Sequence, residues 1–183
     1  MTTDDSNSET TEPTAEPRRI TLRRFVVPAA AMITIAAVAA ASFLAVDNHR
    51  IRAREQARDS ALAAACTYAP TLARYDAKDL DTYFAAVLAG ATGSWKTEFD
   101  ATSRDLRDVL TQGQVVSTVG KVTCAIESAD ETSATAVAVI NQTITSLGTQ
   151  GEPAPGQLSV SMALRKDLDR WLVSEVSTPT LSR

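Results

Sequence analysis

Chemistry in a protein chain rests first on histidines, cysteines and clustered carboxylates, and here these are sparse. His49 is the one histidine of the 183 residues. It follows directly on an uncharged apolar run, where a polar helix surface accounts for it, so the rest of the chain has no imidazole for acid–base or nucleophilic work. No Cys-x-x-Cys, no His/Cys cluster, no Asp-x-Asp calcium loop with its central glycine and no Gly-x-x-x-x-Gly-Lys cradle occurs, which leaves metals and nucleotides unsignalled and no cofactor expected. Asp76, Asp79 and Asp81 cluster at a helix boundary, where capping and solvated turns place carboxylates. Gly90-Ala-Thr-Gly93-Ser94 with Lys96 could hold an anion at a helix N-terminus. A helix stop followed by a serine cap explains the same residues with less.

Two groups carry more information. Tyr83, Phe84, Trp95 and Phe99 could line a pocket for an apolar ligand, or form the hydrophobic core of a chain in which aromatics make up only 5%. Cys66 falls on the apolar stripe of a helix and Cys124 on the apolar face of a strand, so both point inward. In an exported domain they form a disulfide closing a loop of roughly 58 residues, worth about 4 kcal/mol in the chain-entropy model. In a cytoplasmic domain they would be two buried thiols.

The elements that must position these groups begin with a membrane anchor. Phe25 to Val46 carries no charge and is about 22 residues long, enough to cross roughly 30 Å of hydrocarbon as a helix. Pro28 sits in its first turn, where a missing N–H breaks no helical bond. Ala36 with Ala40 and Ala37 with Ala41 give small-xxx-small spacing that would let a partner helix approach; alanine as membrane filler is the plainer alternative. Ala39-Ala40-Ala41 before Ser42 also resembles a signal-peptidase site, but the apolar run is longer than a signal core. Arginines lie on both sides, Arg18, Arg19, Arg23 and Arg24 before the span and Arg50, Arg52, Arg54 and Arg58 after it, so the positive-inside rule nearly ties. The cysteines decide for a cytoplasmic N-terminus and an exported C-terminal domain in the inner membrane. The net charge of -4 gives no basic footprint for nucleic acid.

Five segments follow. Residues 1–24 read as a disordered tail with a basic end, 25–46 as the transmembrane helix, 47–78 as a helical connector running into the first domain helix, 79–178 as an α+β domain, and 179–183 as a C-terminal tail. Within the domain, Leu62, Cys66, Ala69, Leu72 and Tyr75 repeat at helical steps, with Pro70 expected to kink or divide the helix near Ala69. Asp79 should cap a short helix ending at Gly90, and Ser94 a further one carrying Trp95, Phe99, Thr102, Leu106 and Val109 and stopping at Gly113. From Gln114 the period becomes two. Val122-Cys124-Ile126 and Leu158-Val160-Met162-Leu164 each face inward from strands with one wet face, Thr132 to Thr149 gives a long strand, and Trp171 to Val176 the last. Gly151-Glu-Pro-Ala-Pro-Gly156 should separate the last two strands from the long one. Three helical segments followed by a curved antiparallel sheet of about four strands is an α+β order.

In this order and in several stretches the chain resembles the Mce-associated membrane proteins of actinobacteria. The likeness is carried by the anchor with its arginine-rich exit, by Leu88-Ala-Gly-Ala-Thr-Gly-Ser-Trp-Lys-Thr-Glu-Phe99, by Val139-Ile-Asn-Gln-Thr-Ile144, and by Arg170-Trp-Leu-Val-Ser174. The resemblance implies an NTF2-like cone similar to VirB8-type assembly proteins, and a non-catalytic accessory role in Mce complexes that import lipids or sterols. Mce transporter subunits and the membrane are then the expected partners, in a homo- or hetero-oligomer. It offers no catalytic residues to carry over. An exported lipid-binding module, or a scaffold of another envelope complex, is the alternative. Leu168-Asp169-Arg170 stands where the family's glycine turn before the final tryptophan would be, so the resemblance leaves the shape of the last hairpin open.

Overall fold

The computed structural model describes residues 20–177, with side chains from residue 42 onward. Expectations for residues 1–19 and 179–183, and for the side chains of Ala36, Ala37, Ala40 and Ala41, lie outside the described residues. Chain contacts gather Asn48 onward into one compact unit, which is the domain discussed below. Helix α1 (Ile20–Ala73) begins ahead of the expected span. Among the described residues no helix is long and apolar enough to cross a membrane, and positions 25–41 lie outside the side chains this concerns.

Pro70 does not divide α1. The helix runs on through it to Ala73, forgoing the one helical bond that a residue 70 N–H would make to the Cys66 carbonyl. Tyr75, expected on the helix stripe, therefore lies in the two-residue strand β1 (Tyr75–Asp76), which pairs antiparallel with Val116 and Ser117. That strand raises the sheet from the expected four to five.

Asp79 caps α2 (Leu80–Ala89), accepting from the Thr82 N–H at 3.4 Å, and Gly90 closes it. Helix α3 (Gly93–Gln112) ends at Gly113 as expected. Its N-cap is Thr92, not Ser94, whose hydroxyl is engaged elsewhere. The buried face of α3 keeps Trp95, Phe99 and Leu106 of the expected stripe and departs from it at Thr102, which is exposed, and at the C-terminal end. Phe99 and Leu110 are buried with Leu106 beside them, while Val109 is 65% exposed.

The sheet is a meander in the order β1-β2-β3-β4-β5, with β2 (Val116–Ala129), β3 (Ser133–Thr145), β4 (Ala154–Asp167) and β5 (Arg170–Ser177), all antiparallel. Irregular register between Val119 and Val122, Ile126 and Ser128, and Ala163 and Leu164 adds local twist, which curls the sheet into a half-barrel. Strand β4 begins inside the expected Gly151–Gly156 break. Pro155 is tolerated there because β5 pairs only from Ser161 onward, leaving the missing donor on an unpaired edge.

Inward-facing Ile140, Val160, Met162, Leu164 and Val173 build the sheet's share of the core. Against them α1 presents Ala57, Ala61, Ala65, Ala69 and Ala73, all at most 5% exposed and spaced four apart. The most buried stripe of α1 is thus alanine, one position away from the Leu62-Cys66 line. Small side chains let the helix axis lie close to the curled sheet, and the larger Leu62 and Leu72 flank the contact, half-buried.

Candidate functional site

Two of the stretches that carry the family likeness, Leu88–Phe99 and Arg170–Ser174, meet in space. Gly90 and Ala91 leave α2 and run beside β5: the Val173 N–H donates to the Gly90 carbonyl at 2.9 Å, and the Thr92 N–H to the Val173 carbonyl at 2.7 Å. Ser94 then donates its hydroxyl to the Ser174 carbonyl at 3.1 Å, and the Arg170 guanidinium reaches the Ala89 carbonyl at 3.3 Å. Both glycines of this turn are required. A Cβ on Gly90 would lie 2.5 Å from the Tyr68 ring, and Gly93, at φ +56°, faces Ser174 where a Cβ would sit at 3.3 Å. The anion-binding reading of this loop loses its serine, whose hydroxyl is spent on β5.

Tyr68 is the hub behind that turn, and nothing in the sequence singled it out. Its ring lies under Gly90, its hydroxyl donates to the Val87 carbonyl at 3.0 Å, and it accepts from the Trp95 indole N–H at 2.7 Å. Burial pushes this phenol up to about 12, the Trp95 hydrogen bond acting the other way. The available signal was helical: Tyr68 falls between Ala65 and Ala69 on the buried side of α1. Trp171 likewise reaches α1, its indole N–H donating to the Ser60 hydroxyl at 3.0 Å.

The four aromatics singled out in the sequence do come together. Tyr83, Phe84 and Phe99 are buried, and Trp95 packs on them half-buried. Ring centroids are 5.2 Å apart for Tyr83–Phe84, 5.7 Å for Phe84–Phe99 and 5.2 Å for Trp95–Phe99, in tilted geometry. They fill the space between α2 and α3 with rings. Arg107 closes the outer side, stacked 4.8 Å over Phe84 and paired with Asp81 at 2.7 Å. A groove opens on the opposite flank, between the end of α1, the start of α2 and β1–β2.

Cys66 and Cys124 are joined in a disulfide, with Cα atoms 5.8 Å apart, tying α1 to β2. Of the clustered carboxylates, Asp76 accepts from the Lys78 N–H at 2.9 Å, Asp79 caps α2 and Asp81 pairs with Arg107. Among the described residues no group of His, Cys, Asp and Glu is arranged to hold a metal. Asp130, in the β2–β3 turn, accepts from the backbone and side chains of Thr132 and Ser133, and these bonds hold its carboxyl well below the usual range. That arrangement is turn chemistry.

None of the curated proteins matches the chain in sequence. Among solved structures, an IcmL-like type IV secretion system protein from Legionella pneumophila is similar over 69% of this chain and 94% of that one, at 12% identity and a TM-score of 0.51. The intermembrane space region of the chloroplast protein ARC6 aligns with 51% of this chain and 75% of its own, at 17% identity and a TM-score of 0.37. The first likeness supports the NTF2-like, VirB8-like fold that the sequence resemblance implied. A family model described as "uncharacterized protein Rv1363c/MT1408-like" matches residues 23–175, which take in nearly all of the helices and meander and the whole α2–β5 junction, and the chain belongs to this family.

Proposed function

We propose that this protein is a non-catalytic accessory membrane protein that holds an envelope complex together, anchored through 25–46 with its C-terminal domain exported. The observation that carries the reading is the fold: nearly the whole of an IcmL-like protein is matched, and that protein is by its description part of a type IV secretion system. The Cys66–Cys124 disulfide favours an oxidising compartment for the domain. A core filled with alanines and rings, and carboxylates used as caps, also suit a scaffold better than an enzyme.

The complex we infer is an Mce-type importer of lipids or sterols, from the sequence resemblance, with a scaffold of a different envelope assembly as the alternative. Co-purification of the full chain from mild detergent tests it. Mce subunits should be retained with the intact protein; their absence, with the anchor intact and the domain folded, would remove the Mce assignment. Recovery of a different set of envelope proteins would favour the alternative.

A further inference from the structure

The groove beside α2 has a volume of about 560 Å³, within the range of roughly 300–1,000 Å³ usual for small-molecule sites. Pro70, Tyr75, Tyr83, Ala86, Val116 and Ser117 give it its walls and floor. Two of its polar floor and wall groups differ sharply in state. Ser117, 2% exposed, donates to the Gln142 side-chain carbonyl at 3.3 Å. Tyr83 is 8% exposed and its ring is held by Tyr75 at 5.3 Å and Phe99 at 6.0 Å, yet its hydroxyl makes no hydrogen bond with any described residue. Among the described residues no fully buried side-chain N or O lacks a partner, so the Tyr83 oxygen must reach open space, and the groove is the space it lines. Tyr68, two turns of packing away, shows the contrast: its hydroxyl both donates and accepts within the protein.

We infer that this groove binds a neutral, largely apolar molecule through one hydrogen-bonding group placed against the Tyr83 hydroxyl. The apolar body would lie along Tyr75, Pro70 and Val116. Charge at the mouth argues for neutrality. Arg74 stands there with Asp76 and Asp79, so an anion meets two carboxylates and a cation meets the guanidinium. A phenol is protonated at neutral pH, and burial first, then the neighbouring Tyr75 and Tyr68, push this one further up, to about 12. One side of the frame is pinned: Ala77 N–H to the Val115 carbonyl and Asp79 N–H to the Asp76 carbonyl, both 2.9 Å, hold the segment between β1 and α2. This site is independent of the scaffold reading and of which complex the chain serves.

The test uses the full chain in detergent and three diazirine photoprobes on one aliphatic chain, ending in a hydroxyl, a methyl or a carboxylate. Mass spectrometry maps the cross-links. The alcohol should label peptides covering 70–86 and 116–118 more than either companion. Tyr83→Phe, which keeps the ring packing, should cut alcohol labelling there on the order of fivefold, the worth of about one hydrogen bond, and bring it to the methyl probe's level. Ala86→Trp, at an exposed position on the groove's edge, should block labelling by the alcohol and methyl probes while leaving the fold intact. Alcohol labelling indifferent to both variants, or confined to the rest of α1, would overturn the site; preferential labelling by the carboxylate probe would overturn the ligand class.

Discussion

At the scale of single residues, two side chains are under unusual constraint. Tyr68 sits with one hydrogen bond on each side of its oxygen, linking α1 to α2 through Val87 and to α3 through Trp95. Removing the hydroxyl leaves the indole N–H and the Val87 carbonyl without that partner in a part-buried site. Tyr68→Phe should therefore lower unfolding free energy by about 1–3 kcal/mol, read from urea denaturation followed by tryptophan fluorescence. A change below about 0.3 kcal/mol would mean the hub is not structural. Leu168 is the opposite case, a residue whose conformation costs stability. It occupies the first position of the two-residue β4–β5 turn at φ +53° and is 91% exposed, where a type II′ hairpin would place glycine. Leu168→Gly should raise stability by about 0.5–1 kcal/mol in the same assay. The departure from the family's glycine turn was visible in the sequence; that the turn keeps two residues and accepts the strain was not. Tyr68 was illegible for another reason: its partners lie 19 and 27 residues away, and no periodic pattern names a hydrogen bond.

Elements were legible in kind but not in phase. Period-two alternation placed β2 and β4 with the correct faces inward, and the glycine stops of α2 and α3 were found. On α1 the buried face is displaced by one residue from the most hydrophobic line. Hydrophobicity ranks leucine above alanine, whereas close packing against a curled sheet selects the smallest side chain at the point of nearest approach. Ala65 lies in the middle of that buried alanine stripe, 0% exposed, and Ala63, two positions away, is exposed. Ala65→Leu should destabilise the domain by about 1–3 kcal/mol through overpacking, while Ala63→Leu should change it by less than about 0.5 kcal/mol. Equal effects at the two positions would place the close contact elsewhere. β1 was missed because two residues give no period; only the Ser117 and Val116 pairing defines it.

For the whole molecule, two of the stretches read in sequence as marks of likeness form one junction. Leu88–Phe99 supplies the turn out of α2 and Arg170–Ser174 the strand it runs beside, so residues about 80 apart in the chain are joined through Gly90, Thr92, Ser94 and Val173. The disulfide is the second long-range tie, spanning 58 residues and worth about 4 kcal/mol in the chain-entropy model. It also links structure to location, since a persistent disulfide belongs to an oxidising compartment and an envelope scaffold needs its domain there. The cysteine positions and their inward faces could be read from the sequence; their pairing follows from the two elements being brought to 5.8 Å between Cα atoms. Thiol labelling of Cys66 and Cys124 in intact cells and in denatured extract, with and without reductant, tests this account most directly. It predicts no labelling of denatured protein until reductant is added, and full labelling of both cysteines afterwards. Two reactive thiols in the denatured, unreduced sample would contradict the disulfide and, with it, the exported orientation on which the scaffold reading stands.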